Sequence, residues 1–212
     1  MLLFSLCFCY NVKRFLNMQN IINKIKYIKY FLLTIAVIIP FLPFYIKGVG
    51  KDFGGIAFQL LFLSLIIGPL RKIFENKFFE FLLLIRPEIG ILMASFAIGH
   101  GISFLSNKMF QDNLASADFK MLFTDMLPVT LGMAALLLTI PLLITSNKYL
   151  KEKMGAWWFR LHRLAYFIFI LGALHGATIK NGFTFENVST ALPMIVIYVL
   201  IVLASKKWSK KN

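Results

Sequence analysis

Three histidines, His100, His162 and His175, are the only ones in this 212-residue chain, and each falls within or at the edge of a long apolar stretch. A neutral imidazole is a good ligand for a transition metal. An ionisable group in such a stretch is a functional candidate by default. The plainer alternative is a hydrogen bond across packed helices, worth about 0.6 kcal/mol. The acidic residues narrow the chemistry. No Asp or Glu is expected inside an apolar segment, and Glu88 marks only an edge. Cation transporters and proton relays set carboxylates along their path, and a bare metal ion wants several ligands at one depth. Two imidazoles from facing helices suit a haem iron with both axial positions filled, which carries electrons. Cys7 and Cys9 are separated by one residue and no further Cys exists, so they form no metal site.

Small residues flank two of the three. "AIGHGIS" surrounds His100 and "LGALHGA" surrounds His175. They leave room for a flat ring against the helix, and they also let membrane helices pack closely.

The elements that hold these residues follow from hydropathy. The chain is 59% hydrophobic, with mean hydropathy +0.77. An all-α, multi-pass membrane bundle of about six helices is expected, with apolar segments at 30–46, 53–70, 88–106, 128–146, 157–179 and 188–205. Residues 1–29 then form an N-terminal cytoplasmic segment, 30–205 the membrane domain and 206–212 a basic cytoplasmic tail. The apolar start lacks a basic region ahead of it and is a poor signal peptide, and Met18 is an alternative start. The connection 107–127 is the longest and has room for a short surface helix. The sequence contains no internal repeat and no low-complexity tract.

The net charge of +14 reflects Lys and Arg at the ends of spans rather than a nucleic-acid surface. Eighteen of the 23 basic residues lie before the first span, between spans two and three, around the connection of four to five (Arg160 and Arg163 included), or after the sixth. The positive-inside rule therefore puts both termini in the cytoplasm, in agreement with an even number of spans. On that orientation spans three and five both run outward. His100 lies 14 residues beyond Arg86, and His175 lies 15 beyond Arg160. At helical rise these are about 21 and 22 Å, so the two sit at matching depth near the outer face. His162 sits near the cytoplasmic face, with no histidine on span three to match it. On an ideal helix His162 and His175 point about 140° apart, so they share a neighbour only if the helix is distorted.

"PLRK" at the end of span two, "RPEIGILMASFAIGHGISF" in span three and "LLITSNKYLKEKMGAWWFRLHRLAYFIFILGALH" across spans four and five together resemble the ferric-reductase-like transmembrane domain family. The likeness runs from about Phe31 to Ile179. It implies a b-type haem (heme b) on His100 and His175, with His162 as a further haem or cofactor residue. It also implies electron entry from a cytoplasmic flavin reductase or a quinol, in some members through bound FMN. Exit is to an acceptor outside the membrane, a periplasmic or extracellular reductase subunit. The site would belong to a multi-pass protein of the cell (inner) membrane, in contact with lipid and not nucleic acid. This chain differs from the family in having Arg86-Pro87 where paired basic residues are usual, and "GATI" after His175.

Trp157, Trp158, Arg160 and Arg163 cluster beside His162. They read either as ordinary interfacial anchors or, with His162, as a docking site for a flavin phosphate or a quinone. "GVGKDFGG" falls in the outer connection between spans one and two, so it is not a dinucleotide motif. Two other readings stand beside the haem protein: a small transporter or channel with a histidine-lined path, and a membrane anchor whose histidines only pack.

Overall fold

The computed structural model describes residues 23–46, 48–106, 126–179 and 192–208. Cys7, Cys9, Met18 and the segment 107–125 lie outside the described residues. The described residues form helices and short turns.

Helix α1 spans Asn23–Tyr45. Pro40 and Pro43 remove two backbone donors, and the helix tightens to a 3-10 turn at Ile39–Phe41 before its last turn at Leu42–Tyr45. Gly48, at φ +92°, makes the reversal into α2 (Val49–Ile73). A short connection then leads to α3 (Lys77–Leu105), capped by the Asn76 side chain, which accepts from Phe79 N at 3.1 Å. Helix α4 (Leu127–Ile144) starts with Pro128 in its first turn, where a missing donor does no harm. Asn147 caps α5 (Lys148–Met154), and Gly155, at φ +52°, turns the chain into α6 (Ala156–His162). Helix α7 (Leu164–Thr178) continues the same span, and α8 (Leu192–Trp208) closes the described chain.

Among the described residues, four helices are long and apolar enough to cross a bilayer on their own: α1, α2, α3 and α4. The fifth crossing is divided into α6 and α7 at Arg163, and the sixth has 17 described residues. The expected polytopic α-bundle is therefore present. The first helix already begins at Asn23, inside the segment expected to be a cytoplasmic extension.

Helices α2 and α3 pack along their length, as do α4 and α7, while α8 and α7 both lean on α2. Helices α3 and α7 lie across the bundle from each other. Leu61, Leu65, Met93, Ala135, Leu142, Ile168 and Phe169 fill the centre. Phe169 stacks on both Phe58 and Phe62, with centroids 5.3 and 5.8 Å away. Large apolar side chains such as Phe31, Val37, Leu137 and Leu200 point outward, as lipid-facing residues do. Buried hydroxyls turn back onto their own helices. Thr139 donates to Ala135 O and Thr178 to Leu174 O, so neither presents an unpaired group to hydrocarbon.

Two sequence expectations change. "GVGKDFGG" is not a connection: from Val49 onward it is the first two turns of α2. Its glycines let helices approach closely, and a Cβ on Gly50 would collide with Ser103 of α3. Glu88 is not an edge residue. It lies well inside α3, is only 9% exposed, and pairs with Lys29 of α1 at 3.0 Å. Its Oε2 has no hydrogen-bond partner among the described residues. The carboxylate is tolerated there because α1 brings an ammonium to it.

Candidate cofactor site

The helices bring His100 of α3 and His175 of α7 together in an edge-on arrangement, with ring centroids 6.1 Å apart and planes at 67°. His100 Nδ1–H donates to Gly50 O on α2 at 2.7 Å. His175 Nδ1–H donates to Pro128 O on α4, also at 2.7 Å. A carbonyl can only accept, so each bond fixes the proton on Nδ1 and leaves the Nε2 lone pair free. Both carbonyls belong to the first turn of their helix, at the end of the bundle assigned to the outer face.

The same two helices leave space for the rings. A Cβ on Gly54, one turn beyond Gly50, would come 3.0 Å from His100 Cε1. A Cβ on Gly132, one turn beyond Pro128, would come 2.8 Å from His175 Cε1. Each imidazole is thus held by a carbonyl and admitted by a glycine four residues later. The sequence carries both pairs at i, i+4 spacing, "GKDFG" and "PVTLG". That spacing is informative only once α2 and α4 are known to face the histidines.

These residues fit a haem. Two metal–imidazole bonds of about 2 Å, with about 1 Å from each nitrogen to its ring centre, set ring centroids about 6 Å apart. No cluster of three or more His, Cys, Asp or Glu occurs among the described residues. A site with two imidazoles and nothing else suits a metal that brings its other ligands with it.

His162, at the other end of the bundle, is held differently. Thr145 Oγ1 donates to Pro141 O at 2.7 Å, which uses its one proton. It therefore accepts from His162 Nε2–H at 3.1 Å. The His162 proton sits on Nε2 and its lone pair on Nδ1, the reverse of the other two rings. The ring also stacks on Trp158 at 3.9 Å, and Trp158 Nε1 donates to Thr145 O at 2.8 Å. His162 touches the last residues of α4 while His175 touches its first turn. The two do share a neighbour, because the break at Arg163 supplies the distortion that an ideal helix lacks.

Arg160 and Arg163 are both exposed. The Arg160 guanidinium lies over the Trp157 ring at 4.9 Å, an arrangement suited to an interfacial anchor. Arg86 of α3 is half-buried, and a Cβ on Gly68 of α2 would lie 3.8 Å from its Nη1.

Several known proteins are similar to this chain. One is the protein-methionine-sulfoxide reductase heme-binding subunit MsrQ of Agrobacterium fabrum, 29% identical over 153 residues that cover 69% of this chain and 67% of that protein. The MsrQ of Rhizobium meliloti is 30% identical over 152 residues, 72% of this chain and 63% of that protein. The magnetosome protein MamZ of Magnetospirillum gryphiswaldense is 33% identical over 152 residues, 70% of this chain but 22% of that protein. The match thus spans about two thirds of the length of these MsrQ proteins. No solved structure matches the chain. Residues 53–173, from the second helix to just short of His175, match the family described as ferric reductase like transmembrane component, and the chain belongs to that family.

Proposed function

We propose that this chain is a transmembrane haem electron-transfer subunit of the MsrQ kind, holding one b-type haem between His100 and His175. The observation that carries the reading is the pair of facing imidazoles, each with Nδ1–H on a helix carbonyl and Nε2 free. Bound there, the haem supplies an iron that takes up and gives back single electrons.

The residues of the chain do the rest. Gly50 O and Pro128 O keep both rings in the ligating tautomer and raise their basicity. Gly54 and Gly132 let the rings stand between the helices. The cluster around Phe169 fills the bundle beneath with apolar side chains and keeps water out. Electrons enter from a cytoplasmic flavin reductase, through FMN, or from a quinol. They leave to a reductase subunit on the outer side, and the protein resides in the inner membrane. The names of the MsrQ relatives support a partner of this sort. Nothing in the bundle favours a histidine-lined transport path: the imidazoles are committed to backbone or hydroxyl partners, and Glu88 is tied to Lys29.

A reduced-minus-oxidised visible spectrum of the purified protein tests the proposal. The Soret and α bands of a low-spin b haem are expected. A colourless protein that takes up no haem on reconstitution would sink it.

A further inference from the structure

The break at Arg163 does more than divide the fifth crossing. Arg163 N–H donates to Arg160 O at 3.2 Å and Tyr166 N–H to Arg163 O at 3.0 Å, while Arg163 itself has φ −67° and ψ −19°. Bonds that span three residues, with dihedrals of this kind, belong to a 3-10 turn. Such a turn has three residues, so side chains at i and i+3 stand nearly above one another. Arg160, Arg163 and Tyr166 therefore form one column along the crossing, and all three are exposed.

Tyr166 shows where the column points. Its ring lies 6.0 Å from that of Tyr198 on α8, which also meets Phe169 at 5.8 Å. Helices α7 and α8 both pack on α2 but scarcely on each other, so aromatic side chains are what join them here. The seam between them is lined by rings and open to lipid, since Tyr166 is 45% exposed. Cations reach its inner end from both sides. Arg160 lies six residues inward of Tyr166, and the exposed Lys206 lies eight inward of Tyr198, with Lys207 beside it. At helical rise both are about 9–12 Å below the rings. Among the described residues neither arginine has a carboxylate partner, and the nearby Glu152 is taken by Lys148 at 3.7 Å.

We infer that the seam between α7 and α8 seats an anionic phospholipid of the cytoplasmic leaflet, its phosphate on Arg160 and Arg163 and an acyl chain along Tyr166 and Tyr198. Lys206 and Lys207 close the head-group end from the α8 side. Arg160 stacks the face of its guanidinium on Trp157 at 4.9 Å, which leaves the N–H fork in the plane free for a phosphate. Like charges one turn apart repel, and an anion between them relieves the repulsion. Basic pockets between membrane helices at the cytoplasmic side take anionic head groups. A free phosphate would use the cations but not the ring-lined seam, and an acidic soluble protein reaches no deeper than the head groups. The seat does not depend on what the His100–His175 pair holds.

Native mass spectrometry of the full chain reads the seat directly, with dioleoylphosphatidylglycerol, dioleoylphosphatidylcholine or inorganic phosphate added to the micelles. A saturable phosphatidylglycerol adduct is expected, held at a collision energy that strips phosphatidylcholine, with none for phosphate. Arg160→Gln should weaken it about 5-fold, and Arg160→Gln with Arg163→Gln about 30-fold, the weight of one and two cations near anionic lipid. Lys24→Gln with Lys26→Gln removes the same charge from α1 and should leave the adduct unchanged. Equal retention of the two lipids would overturn the inference, as would equal loss in the Lys24 and Lys26 control, because the arginines would then act only as general inner-face charge. Phosphate binding as tight as the phospholipid's would also overturn it, since the seam would play no part. Should the arginine pair fail to fold, Lys206→Gln with Lys207→Gln tests the opposite wall. Weaker binding is expected there, and full binding would put the lipid elsewhere. In nanodiscs the wild-type Tm should be higher with phosphatidylglycerol than with phosphatidylcholine alone, and a Tm indifferent to the head group would count against the seat.

Discussion

The His100–His175 end of the bundle and the His162 end, its outer and inner tiers, both draw on the fifth crossing and on α4, yet they prepare their imidazoles in opposite ways. At the outer tier the partners are backbone carbonyls, and the nitrogen left free is Nε2, at the far end of the ring. At the inner tier the partner is a threonine hydroxyl already committed as a donor, and Nε2 is the nitrogen engaged. On the proposed reading the outer pair would ligate a metal through Nε2, whereas the inner imidazole has its Nε2 engaged by Thr145. The lesson is that a histidine's role is set by what its second nitrogen meets.

The coarsest way to break the comparison is to ask which tier faces out. A topology reporter fused after Asn212 should read cytoplasmic, and one inserted near Gln111 should read external. Full inversion of both signals would exchange the entry and exit tiers. The largest chemical effect is expected from His100→Ala or His175→Ala. Each removes one of the two imidazoles that would hold the haem on the proposed reading, so the low-spin spectrum should vanish or turn high-spin. An unchanged spectrum in either variant would dissolve the pairing.

The glycines come next. Gly132→Ala pushes a methyl to within 2.8 Å of His175, and Gly54→Ala brings one to 3.0 Å from His100. Disturbing the support of a ligating histidine typically lowers metal affinity by about 10–100-fold. Haem retention under competition with apomyoglobin should fall in both variants, more in Gly132→Ala, with a shifted midpoint potential in whatever haem remains. Wild-type retention in both would show that the rings are not confined by these helices.

Smaller still is His162→Ala. It should keep most of the haem absorbance and slow reduction by the cytoplasmic donor. Two haems in the wild type falling to one in this variant would make His162 an axial ligand. The mildest change is Thr145→Val, which takes away the acceptor of His162 Nε2–H. Loss of about 1 kcal/mol of stability is expected, seen as a drop of about 2–4 °C in Tm, with the haem spectrum unchanged. A spectrum that moved with Thr145→Val would couple the tiers more tightly than their separation allows.

Much of this was legible in the chain because the signals are local. Apolar runs fix the crossings, and matching depth pairs His100 with His175 before any contact is known. What was not legible depends on which helix faces which. Gly54 and Gly132 look like ordinary small residues until α2 and α4 are placed against the imidazoles. Arg86 reads as an end-of-span charge because apolar length alone starts span three at Glu88, whereas the helix begins at Lys77. Arg160 and Arg163 read as partners of His162 because they adjoin it in sequence. Residues one or two apart on a helix do not face the same way, and the structure turns both outward.

The separation of the tiers has an electrical consequence. With the termini inside, an electron passing from the level of Arg86 to the level of His100 covers about 21 Å of a hydrocarbon layer about 30 Å thick. It therefore crosses about two thirds of the transmembrane voltage. At about 2.3 kcal/mol per charge per 100 mV, an inside-negative membrane lowers the energy of that passage by about 1.6 kcal/mol for each 100 mV. On that orientation the resting potential favours outward electron flow and opposes its return. The outer centre should stand more reduced in an energised membrane than in a collapsed one with the same donor.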